Sequence, residues 1–345
     1  MEEEIINMKI AIHDTSAGWS FCQYWKSYCE EQNIEYKLVN AYDSDIVQQL
    51  EDCDVFMWHH NHLIHKDRLF AKSLLFSLET AGKKVFPDFH TGWHFDDKLG
   101  QKYLFESIGA PFVKSYVFYD FAQSEKWIKQ TSFPKIFKLR GGAGSSNVQL
   151  VKNRRVALKL SKKAIQRGIA SYNKLGDLKE TIRKYKLKKT SVVNVLKSFA
   201  RLFFSTEFAK KQGNETGYAY FQDFIPGNLF DIRVVVIGNK AFAIRRNVRK
   251  NDFRASGSGK ILYSKDLLDE RCVKISFDVT QKIKSQCAAY DYVFDKQNTP
   301  LIVEVSFGFD QKGYNDCVGY WDEEMNWYEG KFNPQAWIVE LLING

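Results

Sequence analysis

Two carboxylates lie in apolar, strand-like sequence in the last fifth of the chain. Asp291 falls in the run CAAYDYVF, Glu304 falls in LIVEV, and a turn from Asp295 to Pro300 separates them. This pattern predicts two antiparallel strands joined by a short loop, which puts the two carboxylates on neighbouring strands. Two carboxylates beside Arg and Lys groups suit Mg²⁺ that also carries nucleotide phosphates. The alternative is a hairpin with two solvent-facing acids, since strand faces are often half polar.

A lysine in an apolar run precedes a glycine-rich loop. Residues 133–152, FPKIFKLRGGAGSSNVQLVK, predict a strand, a loop and a second strand, and Lys138 lies inside the first. A lysine seldom lies there without a partner. The loop from Gly141 to Ser146 can turn backbone N–H groups towards a phosphate, although it lacks the Gly-Lys-Ser/Thr of a Walker P-loop. Most glycine-rich hairpins are only flexible turns, so the loop alone is weak support for a phosphate site.

The next strands also carry charges. YAYFQDFI (218–225) predicts a strand, and LFDIRVVVIGN (229–239) with KAFAIRRNV (240–248) predicts a hairpin across Gly238-Asn239. A small-residue loop, DFRASGSGK (252–260), follows, and residues 266–289 predict a helix. The charged residues of these segments are Asp231, Arg233, Arg245, Arg246 and Arg254.

The elements before this region alternate strand and helix over residues 8–90. The predicted strands are 8–14, 36–42, 53–60 and 83–89, and the predicted helices are 17–32, 43–52 and 66–81. Repeated βα units predict a parallel sheet covered by helices. No GxGxxG follows the first strand, so this part of the chain does not indicate a dinucleotide site.

All seven histidines precede residue 95, and four of them lie in HHNHLIH (59–65). This cluster follows the third predicted strand, where open α/β sheets bind ligands. A metal site is one interpretation. We favour a polar loop that lines an acceptor pocket, because metal-binding histidines need a fixed geometry that a mobile loop lacks.

A second unit follows over residues 96–151. DDKLGQKYLFESIG predicts a helix with Asp96 or Asp97 at its N-terminus and Gly109 at its end. Residues 112–120 predict a strand and residues 122–131 a helix.

The composition limits the class of protein. A chain of 345 residues with 44% hydrophobic residues and only six prolines can bury a large core in two or three subdomains. No apolar run approaches ~18 residues, and the acidic start MEEEIINMKI has no apolar signal region. The six cysteines show no CxxC spacing, which favours reduced thiols in the cytoplasm over a zinc or disulfide framework.

The net charge of +9 is concentrated in one segment. Residues 152–211 hold 18 Lys and Arg against 3 Asp and Glu, a local charge of +15, which leaves −6 for the remainder. The segment is expected to be helical, and residues 191–204, SVVNVLKSFARLFF, place apolar side chains at helical spacing. We favour a lid whose apolar face packs on the body. The alternatives are a peripheral site for an anionic membrane, or for a lipid-linked polyanionic acceptor. Nucleic acid is disfavoured, because the segment lacks the alternating aromatics of a base-stacking surface.

The order of these pieces resembles the ATP-grasp family, whose members include glutathione synthases, D-alanine–D-alanine ligases and ribosomal-protein glutamate ligases. The resemblance covers about residues 95–310. The matching stretches are Asp97-Lys98 opening a helix, Lys138 before the glycine-rich loop, FQDFI followed by FDIR, NDFR with its small-residue loop, the Asp291 strand, and EVSFGF. The resemblance implies an α/β and α+β chain with the ATP-grasp fold, in which two α+β subdomains sandwich ATP behind an N-terminal Rossmann-like parallel-sheet domain. The expected divisions are 1–94, 95–152, a basic helical insertion 153–215, and 216–345.

The resemblance also implies a role for each matching residue. Lys98 and Lys138 would contact ATP phosphates or adenine. The loop that closes over the phosphates would supply Gly141, Gly142, Gly144, Ser145 and Ser146. The adenine edge would meet Gln222, Asp223, Phe224 and Ile225, and the ribose would meet Asp231. The Mg²⁺ ligands would be Asp291, Glu304 and Ser306. The catalytic candidates are Arg254, which would steady the phosphoryl group, and Arg233.

Two positions depart from the family pattern. The family usually has Asn two residues after the metal-binding glutamate, and this chain has Ser306. The family often has Asn two residues after the loop arginine, and this chain has Ser256. A serine hydroxyl can be a neutral oxygen ligand, but it reaches less far than an asparagine carbonyl, which puts a second metal position in doubt.

The implied activity is that of an ATP-dependent carboxylate–amine or carboxylate–thiol ligase that forms an acylphosphate and releases ADP and phosphate. Small-molecule or glycan carboxylates and amines are the expected substrates, including amino acids, peptides and sugar acids. Two alternatives stay open: a phosphotransferase on the same scaffold, and an ATP-binding module without catalysis.

Overall fold

The protein is described by a computed structural model. The structure describes residues 8–141, 147–170, 178, 181–182, 185, 190–203, 213–248 and 260–344. Among the described residues, no helix has the length and apolar character needed to cross a membrane.

The N-terminal region contains a four-stranded parallel sheet, as the alternation of strands and helices predicts. Its strands are β1 (Ile10–His13), β2 (Tyr36–Val39), β3 (Val55–Met57) and β4 (Lys84–Phe86), in the order β2-β1-β3-β4. The helices here are α1 (Cys22–Glu31), α2 (Ile46–Gln49), α3 (His65–Thr80) and α4 (Phe89–Gly92). All residues of β1 and β3 are buried, because helices and neighbouring strands cover both faces of a parallel sheet.

The second region begins with α5 (Lys98–Ser107), whose first backbone amides are capped by Asp97. The Asp97 side chain accepts hydrogen bonds from the amides of Leu99 and Gly100, which confirms the predicted N-terminus. The elements that follow are β5 (Ser115–Phe118), α6 (Phe121–Gln130), β6 (Lys135–Lys138), β7 (Val148–Val151) and α7 (Arg154–Gln166).

The basic segment also contains β8 (Ile169–Ala170) and α8 (Val192–Phe203), and β8 pairs with β9 (Asn214–Glu215), which follows the segment. The predicted helix over residues 191–204 is therefore confirmed as α8. After this segment, β10 (Ala219–Asp223) enters the second sheet, whose order is β5-β10-β6-β7. The chain thus returns across the basic segment to place β10 between β5 and β6.

A third, mostly antiparallel sheet carries the charged strands. Its members are β11 (Phe230–Ile237), β12 (Lys240–Asn247), β13 (Ile261–Leu262), β14 (Cys287–Phe294), β15 (Pro300–Ser306), β16 (Gly319–Asp322) and β17 (Trp327–Glu329). The order is β15-β14-β11-β12-β16-β17, and β13 pairs with β12. Two helices accompany it, α9 (Glu270–Ile283) and α10 (Pro334–Asn344).

Helix α9 is shorter than the prediction of 266–289. It ends at Ile283 because Lys284 adopts a left-handed conformation with φ of 55°, and the strand β14 begins at Cys287. The apolar run that extended the predicted helix therefore belongs to the strand that carries Asp291.

One hydrophobic core joins the first and third sheets. It includes Ile10 and Ile12 of β1, Val235 of β11, Phe242 of β12 and Trp337 of α10. Because these buried side chains belong to one cluster, the carboxyl ends of the N-terminal strands are held against the charged strands of the third sheet.

Candidate active site

A cavity of about 670 Å³ lies where the three sheets meet. The N-terminal sheet contributes the loop after β3, the second sheet contributes β6 and the end of β10, and the third sheet contributes β11, β14 and β15. A concave site of this volume, with apolar walls and a few converging charges, is typical of small-molecule pockets.

Most predicted site residues within the described part of the chain line this cavity. They are Lys138, Gln222, Asp223, Phe224, Ile225, Asp231, Arg233, Asp291, Glu304 and Ser306. Lys98 lies directly behind the lining and contacts Glu304. Gly141 packs so closely on Asp96 that a Cβ there would come 2.8 Å from the Asp96 Oδ2.

The predicted carboxylate hairpin is confirmed. Strands β14 and β15 pair antiparallel, and Asp291 is directly opposite Glu304 in the register. The register shifts between Asp291 and Tyr292, an irregularity of the kind that often re-aims side chains at functional sites. Both carboxylates line the same cavity, which removes the alternative of two acids facing bulk solvent.

Asp291 is held by two arginines. Arg233 donates to both carboxylate oxygens at 2.5 and 2.7 Å, and Arg246 lies 2.9 Å from Oδ1. Burial alone would raise the pKa of Asp291, but these two guanidinium groups hold it well below its ordinary value. The carboxylate is therefore ionised across the physiological pH range.

Arg246 contacts both Asp231 and Asp291; the sequence analysis named it among the charged strand residues but gave it no role in the site. It donates to both oxygens of Asp231 at 2.7 and 2.6 Å, and it also pairs with Asp291. The register places Asp231 directly opposite Arg246. Counting outward from the two-residue turn at Gly238-Asn239 gives this pairing, so the sequence contained the signal that identifies Arg246.

Two buried lysines near Glu304 have opposite environments. Lys98 Nζ lies 3.0 Å from the Glu304 carboxylate; burial opposes its charge, but Glu304 and then Asp96 raise its pKa. Lys138 is only 4% exposed and makes no hydrogen bond or ion pair with the described residues. Burial lowers its pKa to about 8, although Glu304 acts in the other direction. An unpaired ammonium inside a cavity is a ready site for an anion.

The strand end at residues 222–225 forms another wall of the cavity. The Gln222 amide donates to Ser115 Oγ at 3.1 Å, and Asp223 pairs with Lys135 at 2.6 Å. The loop that follows is fastened by Asn228, which donates to the carbonyl of Phe294 and accepts from its amide. The backbone of this segment is thus fixed relative to both the second and the third sheet.

Histidines form the wall on the side of the N-terminal sheet. His59 accepts a hydrogen bond from the Phe21 amide through Nδ1 at 3.1 Å and stacks on the Phe21 ring. Burial lowers the pKa of His59 to about 3 and holds the pKa of His60 well below its ordinary value, so both rings are neutral. Nε2 of His60 and Nε2 of His62 are buried without a hydrogen-bond partner among the described residues. Unsatisfied buried nitrogens that border a cavity indicate that a polar ligand or water occupies it.

The described residues contain no group of three or more His, Cys, Asp or Glu arranged to hold a metal ion. The donor set formed by Asp291 and Glu304 nevertheless fits Mg²⁺, which proteins often hold through one or two carboxylates together with water and phosphate oxygens. Ser306 is a weaker candidate, because its hydroxyl donates to the Gly308 carbonyl at 3.0 Å and accepts from the Gly308 amide.

Several predicted residues lie outside the described part of the chain. They are Gly142, Gly144, Ser145, Ser146, Arg254 and Ser256. Their roles stay predictions.

Comparison with known proteins gives a consistent result. Residues 158–319, just under half of the chain, match the family model described as a RimK-like ATP-grasp domain. A search of the curated proteins finds no match.

Solved structures that cover nearly all of this chain share its fold. A RimK domain protein from Sphaerobacter thermophilus DSM 20745 is 12% identical, with coverage of 98% of this chain and 100% of that chain and a TM-score of 0.55. The biotin carboxylase domain of the Hydrogenobacter thermophilus 2-oxoglutarate carboxylase is 12% identical, with coverage of 98% and 70% and a TM-score of 0.59. A carboxyaminoimidazole ribonucleotide synthase from Aspergillus clavatus is 10% identical, with coverage of 98% and 77% and a TM-score of 0.54. The chain therefore has the ATP-grasp fold, and its residues 158–319 match the model of a RimK-like ATP-grasp domain.

Proposed function

We propose that the protein is an ATP-dependent ligase that joins a carboxylate to an amine, or to a thiol, through an acylphosphate. The observation that carries this proposal is the arrangement of Lys138 in one cavity with the paired carboxylates Asp291 and Glu304. Lys138 is a buried ammonium that has no ion-pair partner among the described residues. The nucleotide content of similar proteins supports the proposal: the Aspergillus clavatus enzyme was solved with ATP and the Hydrogenobacter thermophilus domain with MgADP.

The reaction has two steps. A carboxylate oxygen of the first substrate attacks the γ-phosphorus of ATP, the bond from phosphorus to the ADP oxygen breaks, and an acylphosphate forms. The amine of the second substrate then attacks the acyl carbon, the C–N bond forms, and phosphate leaves while the nitrogen loses a proton. Water would hydrolyse the acylphosphate, so the cavity must exclude it during the reaction.

Each residue of the site has a proposed part in this reaction. Lys138 neutralises charge on the phosphates, and residues 222–225 with Asp231 hold the adenine and ribose. Arg233 stabilises the negative charge on the oxygens of the acylphosphate and of the tetrahedral species, and Arg254 steadies the phosphoryl group in transfer. Asp291 and Glu304 would hold Mg²⁺, which supplies charge neutralisation at the phosphate oxygens when bound.

The second substrate is proposed to enter from the histidine wall. Nε2 of His60 and Nε2 of His62 have no hydrogen-bond partner in the part of the chain that the structure describes. The rings are neutral, so they can accept or donate hydrogen bonds without repelling an ammonium group. Amino acids, peptides and sugar acids are the candidate substrate classes. Lipid-linked glycans would present the same carboxylate or amine groups on a larger molecule.

The test is an ADP-release screen in which amino acids are paired with carboxylates, including uronic acids. A ligase releases ADP at a sustained rate only when both partners are present, and a phosphotransferase needs a single acceptor. The Lys138→Met variant should lose the activity, and Lys126→Met, which changes an exposed lysine on α6, should keep it. ADP release with one acceptor and a phosphorylated product would overturn the ligase in favour of a phosphotransferase.

A further inference from the structure

An aromatic side chain beside the histidine wall has no part in the reaction proposed above. Trp19 lines the cavity, is half-buried, and contacts His59 edge-to-face with 5.5 Å between the ring centroids. Trp19 follows β1 and His59 follows β3, so both lie at the carboxyl end of the parallel sheet. An indole ring offers a broad apolar surface on which a flat apolar ligand face can pack.

The loop that carries the histidines is held in place. The amide of Asn61 donates to the Asp67 carboxylate at 2.7 Å, and the Asn61 side chain accepts from the amide of Leu63 at 2.8 Å. Asp67 is 2% exposed and also accepts a hydrogen bond from the Tyr42 hydroxyl. The mobile loop expected from the sequence is thus a fixed one, and the histidine nitrogens that border the cavity keep their positions.

The polar groups of this wall are neutral. Nε2 of His60 and Nε2 of His62 are buried, and no described residue forms a hydrogen bond with them. His60 is 4% exposed, and burial lowers the pKa of both rings. A neutral imidazole has one donor and one acceptor nitrogen, and a hydroxyl group can pair with either. A site built to bind hydroxyl groups discriminates strongly against ligands that lack them, because its buried polar groups are then left unpaired.

The charges near this wall disfavour a free amino acid. Asp96 and Asp310 line the cavity, and Asp96 is close enough to His62 to oppose the lowering of its pKa. The cationic lining residues in the described part of the chain are Lys138 and Arg233, which the proposed reaction assigns to the phosphates and the acylphosphate. The carboxylate of an amino acid would therefore be buried without a cation of its own, whereas an amine that carries hydroxyl groups avoids this cost.

We infer that the histidine wall binds an amino sugar as the second substrate, with the sugar ring on Trp19 and its hydroxyl groups at His60 and His62. A pyranose has an apolar C–H face and a rim of hydroxyl groups, which matches an indole beside neutral nitrogen atoms. The role of the sugar as second substrate rests on the proposed function, whereas binding of the ring to this wall does not require the reaction.

The experiment is saturation-transfer difference NMR on the full chain, with glucosamine, galactosamine and mannosamine as probes and with glycine, alanine and glutamate at the same concentration. The ring C–H protons of at least one amino sugar should give a signal, and the amino acids should give none. Trp19→Ala should lower the affinity for that sugar about tenfold. His62→Phe keeps a ring against Phe95 but removes the nitrogen, and it should lower the affinity about three- to tenfold.

A matched control is Tyr24→Ala, which removes an aromatic side chain that is 40% exposed on α1 and does not line the cavity. This variant should bind the sugar like the wild type. The inference is overturned if none of the amino sugars gives a signal, if the amino acids give the stronger signal, or if Trp19→Ala binds the sugar as well as the wild type.

Binding is measured without turnover, so its outcome is separate from that of the ADP-release screen. ADP release with amino acids alone would overturn the amino sugar and keep the ligase reaction. An amino sugar that binds through Trp19 but supports no ADP release with any carboxylate would keep the sugar site and overturn the ligase reaction.

Discussion

Lys138 combines two properties that rarely coexist, deep burial and the absence of a charged partner among the described residues. Its pKa of about 8 in the folded chain lies below the ordinary value of 10.5. The unfolded chain therefore binds more protons between these two values, so this residue makes the free energy of unfolding rise with pH across that window. At neutral pH the buried charge of Lys138 lowers the free energy of unfolding. An anion bound beside the ammonium would compensate for this loss.

We expect ATP affinity to fall as pH rises above about 8, because a bound phosphate raises the pKa of Lys138 and binding must then include uptake of a proton. The decrease should approach tenfold per pH unit and can be measured by titration calorimetry. Lys138→Met should bind ATP weakly with no such pH dependence, and its free energy of unfolding at neutral pH should be higher by about 1–3 kcal/mol. If Lys138→Met kept the wild-type pH dependence of ATP affinity, Lys138 would not be part of the phosphate site.

Substitution of either carboxylate should lower turnover much more than it lowers nucleotide affinity. Glu304→Gln and Asp291→Asn remove hard-oxygen charge, so ADP release should fall about a hundredfold or more while ATP affinity changes less. Asp291→Asn should also lower stability, because Arg233 and Arg246 lose a buried anionic partner. Near wild-type turnover in both variants would contradict the metal assignment, and unfolding measurements show whether a loss reflects misfolding.

Among the elements, helix α5 is one whose stability should affect the candidate site directly. Asp97 is the N-cap of this helix, and Lys98 is its first residue. The Lys98 ammonium forms an ion pair with Glu304. Asp97→Ala should cost about 1 kcal/mol of stability and also weaken ATP binding. The matched control is Asp120→Ala, which removes the equivalent cap of α6 by exposing the amide of Gln123.

Both variants should lose similar stability in a denaturant titration, and only Asp97→Ala should alter the Kd for ATP. An equal effect of the two variants on ATP binding would mean that the cap acts through general stability alone.

The elements also show what sequence patterns can and cannot predict. The apolar runs and the turn between them predicted that Asp291 and Glu304 lie on neighbouring strands. Their direct pairing depends on the register shift between Asp291 and Tyr292, which the sequence pattern did not predict. Counting outward from the turn at Gly238-Asn239 would have selected Arg246. Helical spacing predicted that Val192, Leu196 and Phe199 share a face of α8, but not which way that face points, because the orientation depends on contacts with distant parts of the chain. The end of α9 was misjudged because the apolar sequence of β14 continues the helical pattern.

At the scale of the whole molecule, the cavity exists only when three sheets are assembled. The core shared by the first and third sheets fixes the histidine wall against the carboxylate hairpin, so a ligand that fills the cavity binds the folded chain alone. The position of the histidines beside Glu304 could not be predicted from sequence, because it depends on how this core packs.

ATP with Mg²⁺ should therefore raise Tm by about 3–6 °C at a concentration near 100 times Kd, which corresponds to about 2.7 kcal/mol. Thermal unfolding followed by tryptophan fluorescence measures the shift. Lys138→Met should show a much smaller shift at the same nucleotide concentration. A shift of equal size in that variant would place nucleotide binding outside the cavity.

Arg246 pairs with both Asp231 and Asp291, and this arrangement affects the order in which ligands bind. Asp291 is already neutralised by Arg233 and Arg246, so a divalent ion that arrives alone must displace both guanidinium groups from it. Arg246 keeps its pairing with Asp231, but Arg233 has no second carboxylate partner among the described residues. The exchange therefore leaves the charge of Arg233 uncompensated and is unfavourable. When a polyphosphate arrives with the ion, the displaced arginines gain a new counter-ion and electroneutrality is kept. We therefore expect Mg²⁺ alone to give no saturable heat in a calorimetric titration and MgATP to bind as one unit.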